Sequence, residues 1–65
     1  MPSRDQNYNL IAVLHDRLKD IEAYDRYLKT ASDCDHCTQI WQLLRSQAEE
    51  AVSQLRAEIQ RHAVD

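Results

Sequence analysis

The chain has 65 residues, with 8 basic and 11 acidic side chains and a formal net charge of −3. That is one small domain at most, and the acidic balance argues against a sequence-independent nucleic-acid binder, which needs a basic face, and gives no pull towards anionic membranes. Glycine is absent and proline occurs once, so tight hairpins requiring φ > 0 lack their usual residue, and 43% hydrophobic with 29% charged residues suits a helical domain better than a β fold or a disordered tail.

The N-terminal stretch Met1-Pro2-Ser3-Arg4-Asp5-Gln6-Asn7 is polar and contains an acid, unlike a signal peptide. The first periodic segment follows. Ile11, Leu14, Leu18, Ile21 and Leu28 recur at steps that put them on one helical stripe, with Leu10, Tyr24 and Ala31 at its edges. They also fit a heptad seam, Ile11 and Leu18 at a, and Leu14, Ile21 and Leu28 at d. Asp16, Arg17, Lys19, Asp20, Ala23, Arg26 and Lys29 occupy the other face. Ser3 with Gln6 has capping-box form, so the spacing predicts a helix over about 5–31. The run Leu10-Ile11-Ala12-Val13-Leu14 is the longest apolar stretch and falls far short of the roughly 20 residues of a membrane helix. The expected location is the cytoplasm, with no membrane partner.

A break at about 32–34 follows, where Ser32 and Asp33 offer capping oxygens and Asp35 favours the dipole of the next helix. The second set, Ile40, Trp41, Leu44, Ala48, Ala51, Leu55 and Ile59, predicts a helix over about 35–62. Its outer face is read as Arg45, Glu49, Glu50, Arg56 and Arg61. A link this short makes the two helices antiparallel neighbours. The fold class is therefore all-α, an antiparallel two-helix hairpin. Leu10, Val13, Tyr24, Leu43 and Val52 make the stripes wider than one partner helix covers. Because oligomerisation is a usual remedy for a thin core, the expectation is a homodimer, forming a four-helix bundle, or a larger homo-oligomer. Its interface would comprise Ile11, Leu14, Leu18, Ile21 and Leu28 of the first helix with Trp41, Leu44, Ala48, Ala51 and Leu55 of the second. Ala48 and Ala51 act as spacers that let helices approach, with Tyr24 or Trp41 filling the gap.

Two constellations could carry chemistry. The first is Asp33-Cys34-Asp35-His36-Cys37. A C-x-x-C spacing brings two sulfurs to one side of a turn, as in zinc sites and redox dithiols. Cys34, Cys37 and His36 give at most three of four zinc ligands. A helix N-terminus lowers a thiol's pKa, while Asp33 and Asp35 oppose this by repulsion. The second is a set of interior carboxylates. Glu22 and Asp25 lie along the first seam, Asp25 at an a position, with His15 seven residues before Glu22 and with Glu58 and His62 four apart on the second helix. They could hold iron or zinc. The alternative is that Asp25 pairs with an arginine of the facing helix and that His62 is an ordinary helix-end residue. Nothing assembles a nucleophilic triad, and no phosphate loop is possible without glycine.

Tyr8-Asn9-Leu10-Ile11-Ala12-Val13-Leu14-His15 with Tyr24-Asp25-Arg26-Tyr27-Leu28 resembles a group of small bacterial helical-hairpin proteins, whose second helix is likewise rich in charge and alanine, as in Gln47-Ala48-Glu49-Glu50-Ala51. That resemblance implies a fold and no activity. The layout is also similar, more distantly, to half of a ferritin-like four-helix bundle of the encapsulated type, whose metal site lies between two subunits. The stretches that look alike are Glu22-Ala23-Tyr24-Asp25-Arg26 and Arg45-Ser46-Gln47-Ala48-Glu49-Glu50-Ala51. This resemblance implies a dimeric bundle. The family's Glu-x-x-His ligands would fall on Ala48 and Ala51, so ferroxidase activity is not implied.

The function expected from the sequence is a non-enzymatic assembly or interaction module whose partner is itself or an unidentified protein, with no required cofactor. The alternatives are a metal-binding protein holding zinc or iron, and a thiol redox switch.

Overall fold

The computed structural model describes the backbone of residues 2–31 and 33–64, and the side chains of residues 6–31 and 33–63. Two helices account for almost all of it, α1 over Pro2–Thr30 and α2 over Asp35–Val64. They lie side by side as a helical hairpin, and no strand occurs among the described residues. Pro2 opens α1, a position where its missing N–H costs nothing and its fixed φ already suits a helix. Ser3 therefore lies inside the helix and not at its cap. The caps expected at Ser3 and Ser32 fall outside the described side chains.

The turn uses no left-handed residue among those described. Hydrogen bonds around Cys34 close it instead. The Cys34 N–H donates to the Ala31 carbonyl at 3.0 Å, and the Thr38 N–H donates to the Cys34 carbonyl at 3.0 Å. The Thr38 hydroxyl lies 3.0 Å from both the Ala31 and Cys34 carbonyl oxygens, tying the last turn of α1 to the first turn of α2. Each of these carbonyls thus accepts a second bond beside the one from a backbone N–H, at a chain reversal where a glycine-based C-cap is common.

Close packing is confined to the seam. Ala31, Ala48 and Val52 are buried, Ala48 to 5% exposure. Leu14, Ile21, Leu28, Trp41, Leu44, Ala51 and Leu55 are half-buried. Near the turn Trp41 of α2 packs against two tyrosines of α1 that also meet each other edge-on. Its ring centroid lies 6.0 Å from Tyr24, nearly parallel, and 4.9 Å from Tyr27, tilted by 48°. These large rings lie at the turn end of the seam, where α1 and α2 are joined, and the small Ala48 follows further along α2.

The hairpin is a rod of 50 × 14 × 13 Å with a Cα radius of gyration of 14.9 Å, against about 11 Å for a compact domain of this length. Large apolar side chains remain open to solvent along it. Ile11 is 55% exposed, Leu18 37% and Leu43 58%. Tyr8, Val13, Tyr27 and Ile40 are exposed as well. Among the described residues, no helix is long and apolar enough to cross a membrane.

Candidate functional site: the thiol pair at the turn

Cys34 is the residue immediately before α2, the N-cap position, and Cys37 is the third residue of the helix. The first backbone N–H groups of a helix have no intrahelical acceptor. Here the Cys34 Sγ accepts one of them, from Cys37, at 3.2 Å. Sulfur thus occupies the place where a serine or aspartate oxygen usually sits. Of the expected caps, Asp33 gives way to a residue with little cap preference, and Ser32 lies outside the described residues. The signal in the sequence is indirect: Cys34 stands three residues before Cys37 and four before Thr38, the donors that converge on it.

Both cysteines are free thiols and half-buried. They are electrostatically unequal. Cys34 is pulled below the usual thiol range, first by a hydrogen bond from the Cys37 thiol, then by the Cys37 backbone N–H, with the His36 N–H adding to them against the cost of burial. Cys37 is pushed up, first because its thiol is committed as donor to Cys34, then by burial and by the negative charges of Cys34 and Asp33. The arrangement favours one thiolate held beside one protonated thiol. A helix N-terminus stabilises the anion by its aligned N–H dipoles. The repulsion expected from Asp33 acts on Cys37. Asp33, Asp35 and His36 are exposed.

The carboxylates expected in the interior are dispersed. Glu22 and His15 are exposed. Asp25 is exposed too, and reaches across the seam to Arg45, whose Nε lies 2.6 Å from its Oδ1. Arg45, placed by periodicity on the outer face, is half-buried and bridges Asp25 to Glu49 on its own helix. The Arg45 guanidinium holds the Asp25 carboxyl below its ordinary value. At the open end, Glu58 binds both Arg61 and His62, with His62 Nε2 2.8 Å from its carboxylate. Arg61, and after it His62, holds the Glu58 carboxyl at about 2 from an ordinary 4.5. No group of three His, Cys, Asp or Glu side chains able to hold a metal gathers among the described residues.

Two grooves flank the seam. One runs between Leu18 and Ile21 of α1 and Arg45, Val52 and Arg56 of α2. The other lies between Leu10 and Val13 of α1 and Ala51, Leu55 and Glu58 of α2. Both are open furrows between the rods. Comparison with known proteins finds no match: no family model, no curated protein and no solved structure matches the chain.

Proposed function

We propose that this chain is a non-enzymatic assembly module that pairs with a second copy of itself through the face carrying Ile11 and Leu18. The observation that supports this reading is the surface left open. The hairpin exposes 5184 Å², about 900 Å² more than the roughly 4,300 Å² of a compact monomer of its mass. A standard interface covers about 800 Å² on each partner.

Ile11 and Leu18 stand seven residues apart and form one stripe beside the Leu14–Ile21 line. That is the a-type row of a seam whose d-type row already faces α2. The rim of this face is charged but largely balanced within the chain, Arg45 binding Asp25 and Glu49 with Arg56 beside them, so a two-fold pairing of the same patch need not bury an unpaired acid. Leu18 of each copy would then enter the other's Leu18–Arg56 groove, above the buried Val52, and close a four-helix bundle.

Sedimentation at micromolar concentration tests the reading. The expected result is a species of twice the chain mass, shifted to a monomer by Ile11→Glu together with Leu18→Glu. A wild-type chain that sediments as a monomer and melts cooperatively, at a temperature independent of its concentration, removes the basis for it.

A further inference from the structure

We propose that Cys34 and Cys37 form a dithiol that exchanges with external disulfides, Cys34 as attacking sulfur and Cys37 as resolving sulfur. This goes beyond self-association and does not depend on it. Three features of the turn carry it. The two sulfurs belong to one turn of chain, and the Cys34 Sγ already lies 3.2 Å from the Cys37 backbone nitrogen. The Cys34 sulfur sits at the positive end of the 30-residue α2, in the cap position that stabilises an anion. The pair stands at one end of a 50 Å rod and is half-exposed, so a substrate disulfide approaches without displacing the seam.

The two cysteines have distinct roles because their surroundings differ. Donation from Cys37 and from backbone N–H groups lowers the Cys34 thiol, while Cys37 is kept protonated until needed. In the first step the Cys34 thiolate attacks one sulfur of an external disulfide. A Cys34–S–S–R bond forms, the external S–S bond breaks, and the second half leaves as a thiolate. In the next step Cys37 gives its proton to that leaving thiolate or to water. Its sulfur then attacks Cys34, forming the Cys34–Cys37 disulfide and releasing the second external thiolate. The protein dithiol loses two electrons and the external disulfide, the oxidant, gains them. The Thr38 hydroxyl, bonded to the Ala31 and Cys34 carbonyls, holds the chain reversal in place when the Cys34 sulfur stops serving as a cap.

Incubation of the reduced protein with oxidised glutathione, followed by mass spectrometry, tests the proposal. The wild-type chain is expected to lose two hydrogens and retain no glutathione. Cys37→Ser is expected to hold one glutathione on Cys34. Cys34→Ser, in which serine keeps the cap, is expected to acquire its adduct on Cys37 about tenfold more slowly or worse. A second measurement needs no variant: limiting iodoacetamide at neutral pH should alkylate Cys34 before Cys37 in the unmodified chain. Wild-type protein that keeps glutathione on both cysteines, Cys34→Ser that reacts as fast as Cys37→Ser, or alkylation of Cys37 first would each overturn it.

Discussion

At the scale of single residues, polar side chains settle according to which partner is within reach. Asp25 occupies an a position between Leu18 and Leu28 and would be expensive to bury alone. It turns outward to Arg45, which leaves its predicted outer face to meet it. Glu58 shows the same logic along one helix, three residues from Arg61 and four from His62, a spacing that places their side chains on one side of α2.

The Glu58 contacts have a pH consequence. A carboxyl whose folded value is depressed stabilises the fold fully above its unfolded value and loses that contribution as pH falls towards the folded one. For Glu58 the window runs from the ordinary 4.5 down to about 2. Asp25, held down by Arg45, works in the same direction. Thermal melts at pH 7 and pH 3 should therefore show a drop in Tm on acidification, and Glu58→Gln should lose part of that drop. An identical drop in the variant would show that Arg61 and His62 do not hold the carboxylate in solution.

At the scale of the helices, periodicity carried most of the architecture. Steps of three and four from Ile11 to Leu28 and from Ile40 to Ile59 specify two amphipathic helices, and these are the helices seen. The spacing reads the ends less well, because helix ends are set by individual hydrogen bonds. α1 begins at Pro2, before the serine that looks like its cap. α2 is capped by Cys34, since the sulfur happens to face the Cys37 N–H. The C-x-x-C motif was legible as a motif, but the inequality of its thiols was not. The helix start at Asp35 was legible, but the inequality arises first from which thiol donates to the other and from the Cys37 N–H that points at the Cys34 sulfur, which no spacing of cysteines reports.

Ala48 is the tightest point on α2, at 5% exposure, and the approach of the helices depends on its small side chain. Ala48→Leu inserts three heavy atoms into a seam with no room for them, and overpacking of this kind costs about 1–3 kcal/mol. Denaturant unfolding should register that loss. An unchanged midpoint would mean that the helices are further apart at Ala48 than described.

At the scale of the whole molecule, the hairpin has too little interior for its apolar content. Three buried side chains, Ala31, Ala48 and Val52, make up the core among the described residues, and none is large. Small domains in this position commonly rely on a second chain. Leu18 reads out the difference. In a lone hairpin it is 37% exposed, so Leu18→Ala forfeits only part of a transfer energy, about 1 kcal/mol. Sealed beneath a second copy, the same truncation costs about 2–5 kcal/mol. Unfolding measured at several protein concentrations separates the two, and a small, concentration-independent loss would count against pairing through this face.

The chain reversal in the segment from Ala31 to Thr38 is fastened by the Cys34 sulfur and the Thr38 hydroxyl beside backbone bonds, where glycine is a common helix-end residue. The bend and the proposed exchange site are consequently the same few atoms. Replacing the segment by a flexible glycine connector would leave two rods that still meet but without the proposed dithiol at their end. Conversely, the eight residues carry their own fastenings, so transplanting them onto another pair of antiparallel helices should transplant the sulfur inequality as well.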